Sequence, residues 1–247
     1  MPKIFITGHK GMVGSAIVRA VEMNLPSWSL VLADRKQLDL LNQKHVEQFL
    51  ADERPDCIIN AAARVGGIYA NSTYPAEFIH QNLVLNANLI HSAWKNGVSR
   101  FVNLGSSCIY PSKSEQPIKE EYLLTGPLER TNEAYALAKI AGVEMCRHYR
   151  MQYGALFHSA MPTNLYGPGD NYHLEDSHVL PALIRRFHEA KLNHLPEVVI
   201  WGSGTPRREL MHVNDLASGV LFLLEKENPP NSINLGTGID HSIQEIA

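Results

Sequence analysis

Residues 3–14 read K-I-F-I-T-G-H-K-G-M-V-G, and the stretch S-A-I-V-R-A-V-E-M follows them at 15–23. The mainly apolar run 3–6 ends at Thr7 and Gly8, which is typical of a short buried strand that closes in a turn. From Met12 to Met23 the apolar residues recur at helical spacing. The segment therefore predicts a strand, a glycine-rich turn and a helix in that order.

The same unit recurs along the first two thirds of the chain. Short, wholly apolar strands separated by helices are typical of a parallel sheet that is buried on both faces. Right-handed crossovers between such strands produce an α/β doubly wound parallel sheet, and this is the fold class we predict. The expected strands lie at 3–6, 29–33, 57–60, 100–104 and 156–161, and the expected helices at 12–23, 43–51, 76–95 and 133–153.

After Pro162 the pattern changes, and we expect a second, smaller lobe over 163–247, some segments of which return to the first sheet. Because the chain stops shortly after a last helix has begun, we expect this lobe to be C-terminally truncated. Its expected elements are a Gly/Pro loop at 164–171, a helix at 178–190, a strand at 197–201, a helix at 213–225, a strand at 232–236 and the start of a helix at 242–247.

Composition excludes several classes of protein. The net charge of the 247 residues is −3 and no run of like charges occurs, which argues against a nucleic-acid or membrane-surface protein. Cys57, Cys108 and Cys146 are too few and too scattered for a disulfide framework, and the 12 histidines form no metal-ligand spacing. With neither a signal peptide nor a long apolar run, we expect a cytoplasmic protein without a metal.

The turn after the first strand carries Gly8, Gly11 and Gly14 in a G-x-x-G-x-x-G pattern. Glycines at this place let the backbone turn tightly and approach a pyrophosphate, while the first amides of the next helix face the anion. In its strand–turn–helix context the pattern predicts a dinucleotide site of the Rossmann type.

The end of the second expected strand bears on which dinucleotide binds. Asp34 suits a free ribose 2′-hydroxyl, whereas Arg35 and the nearby Lys10 suit a 2′-phosphate. The residues favour NADP over NAD, and they leave NAD and a solvated Arg35 open. Asn60 to Ala63 either form a floor of small residues under the cofactor or simply begin a helix.

A tyrosine and a lysine lie four residues apart at Tyr135 and Lys139, hence on one face of the expected helix. A nearby ammonium stabilises a phenolate and should lower the pKa of Tyr135, which would make the phenol a proton donor near neutral pH. Ser106 follows a parallel strand directly, at the end where ligands collect in open α/β sheets. Together these residues predict chemistry at a carbonyl oxygen.

The glycine turn, the strand-end serine and Y-x-x-x-K resemble the extended short-chain dehydrogenase/reductase family. The segments ARVGGIYAN (63–71), LGSSCIYP (104–111), MPTNLYGPGDN (161–171) and WGSGTPRRELMHVND (201–215) are similar to its GDP-L-fucose synthase branch. That resemblance implies an NADP-dependent enzyme that epimerises GDP-4-keto-6-deoxy-D-mannose at C3 and C5 and reduces the C4 ketone. It also implies a dinucleotide-binding domain at 1–162, a partial sugar-nucleotide-binding lobe at 163–247 and a homodimer formed through two long helices.

The resemblance assigns roles to individual residues. Ser106, Tyr135 and Lys139 resemble the reductase triad, and Cys108 and His178 resemble the pair that moves protons during epimerisation. The GDP-binding set is matched by Asn164, Val179, Leu183, Arg186, Trp201 and Arg208, with Arg185 and Arg207 as alternatives within each arginine doublet. The expected cofactor contacts are Gly8, Lys10, Gly11, Met12, Val13, Gly14, Arg35, Asn60, Ala62, Tyr135, Lys139, Asn164 and His178.

Two features depart from the branch, namely Lys10 where an arginine can stand and the acidic Asp34. Two other functions also stay open at this point. A nucleotide-sugar 4-epimerase or 4,6-dehydratase would share the glycine turn and the Tyr/Lys pair, and a non-catalytic dinucleotide-binding protein would need the glycine turn alone.

Overall fold

The computed structural model describes residues 1–173 and 176–247. Strands and helices alternate through most of this length. In chain order they are β1 (Lys3–Thr7), α1 (Met12–Asn24), β2 (Ser29–Val31), α2 (Gln43–Glu53), β3 (Cys57–Asn60), α3 (Ile68–Thr73), α4 (Pro75–Lys95), β4 (Arg100–Leu104), α5 (Glu133–Tyr153), β5 (Leu156–Pro162), β6 (Asn164–Tyr166), α6 (Val179–Leu192), β7 (Arg207–His212), α7 (Val213–Glu225), β8 (Ser232–Leu235), β9 (Asp240–Ser242) and α8 (Ile243–Ile246).

The main sheet has six parallel strands in the order β2-β1-β3-β4-β5-β8. The direction of the strand order reverses between β1 and β3, and such a switch point opens a crevice at the carboxyl ends of the strands. Thr7 and Asn60 pair with each other at this edge, as the last residues of β1 and β3. The predicted doubly wound parallel fold is confirmed.

Both faces of the main sheet are covered by apolar side chains. Along β1, Ile4 and Ile6 point to a cluster formed with α1 and α7, while Phe5 points to a second cluster formed with α2, α4 and α5. This alternation follows from the two-residue period of a strand. Because the core holds the sheet from both sides, the carboxyl ends of the strands have fixed positions.

A small second sheet, in the order β6-β7-β9, lies after the main domain. β6 and β7 run parallel, and β9 pairs antiparallel with β7. The chain between β7 and β9 returns to the main sheet, because α7 packs into the α1 side of the core and β8 pairs with β5.

Some sequence predictions of secondary structure were wrong, most of them in the second lobe. Residues 197–201 form no strand; they are largely exposed, and Trp201 is followed by Gly202 in a left-handed conformation. The apolar letters of this segment therefore belong to a surface loop. Three short strands, β6, β7 and β9, were not predicted, since none has a run of apolar residues to signal it. The short helix α3 was missed as well.

Across the described ranges, 1–173 and 176–247, no helix is both long enough and apolar enough to cross a membrane.

Residue His158 on β5 predicts how the fold responds to acid. It is buried completely, and burial lowers its pKa from 6.5 to about 4. The folded state therefore binds fewer protons than the unfolded state between these values, so stability should fall as the pH drops from 6.5 toward 4. The loss should approach about 3 kcal/mol, which chemical denaturation at each pH would measure.

His158→Leu should remove this acid-dependent component, whatever it costs at neutral pH. The exposed His80 on α4 offers the control, since His80→Leu should leave the pH dependence of the unfolding free energy as it is. A steep acid limb that persists in His158→Leu would contradict the assignment.

Candidate active site

The glycine turn forms a close-fitting cradle between β1 and α1. Gly8 is in the left-handed region with φ +66°, and a Cβ there would lie 2.9 Å from the carbonyl oxygen of Ala61. A Cβ on Gly14 would lie 2.1 Å from the carbonyl oxygen of Gly8. No side chain caps α1, whose N-cap is Gly11, so its first amides are available to an anion. The cradle fits the pyrophosphate of a dinucleotide.

The other predicted cofactor residues surround this cradle. Met12 and Val13, at the start of α1, pack partly against the core. Gly169, in the predicted loop after β6, comes near Met12, since a Cβ on it would lie 3.7 Å from the Met12 Cα. Arg35 is exposed four residues after the end of β2, and the Lys10 ammonium lies 2.7 Å from Asp34 Oδ2.

Below the cradle runs a buried chain of polar side chains. Thr7 Oγ1 donates to Asn60 Oδ1 at 2.8 Å, and the Asn60 amide donates to Asn86 Oδ1 and Asn103 Oδ1, both at 3.1 Å. The amide of Asn86 in turn donates to the carbonyl of Ala138 on α5 at 3.2 Å. Asn60 was predicted as a cofactor contact, but its side chain is buried and fully engaged in this network. It ties β1, β3, β4, α4 and α5 together beneath the site.

The N–H of Ala62, another predicted cofactor contact, donates to Thr7 Oγ1 at 3.1 Å and is thereby joined to the same network.

Lys139 ties α5 to the end of β4. Its side chain is buried, and its Nζ donates to the backbone carbonyl of Leu104 at 2.7 Å. The same Nζ lies 5.7 Å from the centre of the Tyr135 ring. Since Leu104 is the last residue of β4, the ammonium and the phenol both lie at the carboxyl end of the main sheet, where the predicted serine also stands.

Ser106 and Cys108 complete this group. Ser106 caps the short 3₁₀ helix Ser107–Ile109, and its Oγ accepts the N–H of Cys108 at 3.4 Å. Burial raises the pKa of the Cys108 thiol, and a hydrogen bond to Ser106 and the charge of Lys139 oppose that rise. Cys108 also acts electrostatically on Tyr135. Four of the five predicted catalytic residues are therefore close together.

The expected direction of the Tyr135 pKa was wrong. Burial raises the pKa of its phenol, and the neighbouring Cys108 raises it further. Burial also lowers the pKa of Lys139 to about 8, so the ammonium is retained at neutral pH. Desolvation disfavours both charged forms, and here it outweighs the attraction between an ammonium and a phenolate. The phenol is thus a protonated donor in this structure.

His178 lies at the start of α6 in the second lobe. It is the exposed N-cap residue of α6. Its charge acts on the carboxyl of Asp170, which directly follows Gly169 beside Met12. On the other side, the N–H of Gly67 donates to the carbonyl of Asp176 at 3.1 Å. The segment before His178 is thereby fastened to the loop after β3.

The loop after β3 is linked to Tyr135 through the ring of Phe78. A Cβ on Gly66 would lie 3.2 Å from the ring of Phe78, and this ring meets the Tyr135 ring edge-on at 6.4 Å. The segment that precedes His178 is therefore fastened to the loop that packs against Phe78.

The two adjacent arginines on α6 have different partners. Arg185 is committed to Glu189, with Nε 2.6 Å from its carboxylate, and to the carbonyl of Tyr172 at 2.7 Å. Arg186 instead stacks on Trp201, its guanidinium carbon 3.9 Å from the ring centre. Trp201 is 72% exposed, so this cation and this flat ring face outward together.

The two adjacent arginines on β7 also differ in their partners. Arg207 pairs with Asp240 at 2.9 Å and lies 3.6 Å from Glu245. Arg208 has no acidic partner within 1–173 and 176–247, and it donates only to the carbonyl of Arg207. The predicted members of each pair, Arg186 and Arg208, are thus the ones left available to an anion.

The remaining predicted substrate residues lie near β6 and along α6. Asn164 donates to the carbonyl of Glu209 at 3.1 Å, which fastens β6 to β7. Leu183 is buried, and Val179 is partly buried at the start of α6.

Sequence reasoning missed the residues that support the site from beneath. Thr7, Asn86 and Asn103 carry the buried network, and Phe78 backs Tyr135. Gly142 was missed too; a Cβ there would lie 2.8 Å from the Asn86 amide. These residues could have been found as polar residues within otherwise apolar strands and helices, because a buried amide requires a hydrogen-bond partner.

Comparison with known proteins agrees with this geometry. The model of the NAD dependent epimerase/dehydratase family matches residues 4–236. The chain belongs to that family. It is 54% identical to the GDP-L-fucose synthase of Sinorhizobium fredii (strain NBRC 101917 / NGR234) over 99% of its own length and 77% of the relative. It is 52% identical to the GDP-L-fucose synthase of Escherichia coli (strain K12), over 99% and 79%.

Among solved structures, a GDP-L-fucose synthetase from Naegleria fowleri bound to NADP superposes with a TM-score of 0.89 at 30% identity. The superposition covers 99% of this chain and 76% of that one.

The cradle predicts that alanine substitutions at Gly14 and Gly11 differ in their effect on stability. Gly14→Ala should push the turn away from the Gly8 carbonyl, cost about 1–3 kcal/mol of stability and weaken the binding of NADP. Gly11→Ala is the matched control, since a Cβ there would lie 3.4 Å from the same oxygen. Urea unfolding of both variants measures the difference in stability, and equal destabilisation by the two would contradict the close fit.

Proposed function

We propose that the chain epimerises GDP-4-keto-6-deoxy-D-mannose at C3 and C5 and reduces its C4 ketone with NADPH, giving GDP-L-fucose. One observation carries this proposal, namely that Ser106, Cys108, Tyr135 and Lys139 meet at the end of β4, next to the glycine cradle. The similarity to GDP-L-fucose synthases over 99% of the chain supports the same substrate.

NADPH, held by the cradle, supplies the hydride for the reduction. The chain's own residues must then protonate and stabilise the sugar oxygen O4. Tyr135 would hold the proton to be transferred, because burial keeps its phenol protonated. The phenolate left behind would lie close to Lys139, whose ammonium offsets the new charge. Ser106, which caps the short helix at the end of β4, would donate its hydroxyl proton to O4.

Inversion at C3 and C5 needs proton transfer next to the C4 carbonyl. A proton at these carbons becomes acidic when O4 is polarised, which Ser106 and Tyr135 would do. One group must then remove the proton and another must return one on the opposite face of the ring. We assign these tasks to Cys108, in the turn after β4, and His178, at the start of α6.

The second lobe supplies groups that suit a nucleoside diphosphate. Arg186 and Arg208 carry forked cations without an acidic partner in the described ranges, and such groups form paired bonds to phosphate oxygens. Trp201, Val179, Leu183 and Asn164 would complete this surface. We therefore propose that 163–247 binds the sugar nucleotide, with 213–235 contributing to the dinucleotide-binding domain of 1–162.

We further propose a cytoplasmic homodimer that forms through α4 and α5. Leu83 and Leu137 expose apolar side chains on these two long helices, at 36% and 42%. Sedimentation equilibrium should then return twice the chain mass of 27.6 kDa, and a mass that stays at that of one chain would rule out the dimer.

Tyr135→Phe tests the reductive half of the function. With GDP-4-keto-6-deoxy-D-mannose present, the unmodified chain should oxidise one NADPH per sugar, whereas an epimerase or dehydratase that regenerates its cofactor would oxidise none in net terms. The variant should lose at least about a hundredfold in rate, because the proton donor is gone, while NADPH binding persists.

Tyr153→Phe is the matched control on the same helix, since Tyr153 is exposed at the far end of α5. Turnover by Tyr135→Phe at the rate of this control would remove Tyr135 from the mechanism.

His178→Gln tests the epimerising half. Because the variant lacks one of the two proton-transfer groups, solvent deuterium should no longer enter both C3 and C5 of the sugar. His188→Gln, on the exposed side of α6, should exchange normally. NMR of the sugar in D₂O reports the exchange, and full labelling at both carbons by His178→Gln would refute the assignment.

A further inference from the structure

Lys10 and Asp34 form an ion pair where the adenosine ribose of a dinucleotide would lie. Asp34 ends the extended segment after β2, about 20 residues beyond the last glycine of the turn, which is the usual position of the residue that meets the ribose 2′ group. Lys10 Nζ lies 2.7 Å from Asp34 Oδ2. The pair therefore joins the glycine turn to the site that distinguishes NADPH from NADH.

The two partners differ in how firmly they are held. Asp34 Oδ1 accepts the backbone N–H groups of Lys36 at 2.9 Å and Gln37 at 3.2 Å, so the carboxylate is fixed in direction. Hydrogen bonding to Lys10 and to these amides lowers the pKa of Asp34, which keeps it ionised at neutral pH. The Lys10 side chain is 70% exposed and has no other hydrogen bond in the described ranges. The carboxylate is therefore held by more bonds than the lysine is.

The arrangement has opposite consequences for the two dinucleotides. A 2′-phosphate carries a charge of roughly −2 and would draw Lys10 away from Asp34, leaving an unpaired, fixed carboxylate close to it. A free 2′-hydroxyl can instead donate to Asp34 while the ion pair persists. Arg35 is exposed and unpaired in the described ranges, and it favours the phosphate. Asp34 therefore counteracts part of what Arg35 and Lys10 contribute to NADPH binding.

We propose that the Lys10–Asp34 pair sets the cofactor selectivity, with Asp34 restraining the preference for NADPH so that the chain also binds NADH. This inference rests on the proposed function, because it requires a dinucleotide at the glycine turn. It concerns residues that act on the ribose end of the cofactor and have no part in the chemistry at Tyr135.

The test is a double-mutant cycle on binding, which needs no sugar substrate. Dissociation constants for NADPH and NADH are measured by titration calorimetry at one ionic strength for the unmodified chain, Asp34→Asn, Lys10→Met and the double variant. The pair 2′,5′-ADP and 5′-AMP repeats the comparison without the nicotinamide. Asp52→Asn, which removes one charge from the exposed end of α2, is the matched control for net charge.

Asp34→Asn should tighten NADPH and 2′,5′-ADP by about five- to tenfold and leave NADH and 5′-AMP unchanged or weaker. Lys10→Met should weaken NADPH more in the Asp34→Asn background than in the unmodified chain, because the freed lysine then serves the phosphate fully. Asp52→Asn should change no ratio.

An NADPH-to-NADH ratio that is unaltered by Asp34→Asn would overturn this inference, as would an equal gain in the Asp52→Asn control. Failure of the unmodified chain to bind either dinucleotide would instead overturn the proposed function, so the two failures are distinguishable.

Discussion

The site depends on one buried hydrogen bond, from the Lys139 ammonium to the carbonyl of Leu104 at 2.7 Å. A buried ammonium without a partner would lose its proton, and burial already brings the pKa of Lys139 down to about 8. The carbonyl at the end of β4 offers the cation a partner inside the protein. Through this contact α5 is held against the strand end, and Tyr135 is brought beside Ser106 and Cys108.

The buried amide network gives the same junction its rigidity. Asn86 bonds at once to Asn60 on β3 and to the Ala138 carbonyl, next to Lys139 in the chain. Gly142 lets the amide come this close to the helix. A fully satisfied buried network has few alternative arrangements, so it holds α5 and the glycine cradle in a fixed position relative to each other.

The parallel sheet and the placement of Tyr135 and Lys139 on one helix face could be predicted from the sequence, because both follow from local patterns. The prediction of a strand at 197–201 was wrong, because apolar residues such as Val199 and Trp201 are exposed and the sequence does not show this. The short strands β6, β7 and β9 depend on partners distant in the chain, which no local pattern encodes. The direction of the Tyr135 pKa failed for a related reason, because the degree of burial decides it and spacing does not report burial.

The central claim is that the residues gathered around Lys139 direct a net reduction at the sugar carbonyl. NADPH carrying deuterium at the transferable position of its nicotinamide, incubated with GDP-4-keto-6-deoxy-D-mannose, tests this most directly by NMR of the product. One deuterium at C4 of the sugar is expected for every NADPH oxidised. A sugar product that carries no deuterium at C4, formed while the label stays on the cofactor, would contradict it.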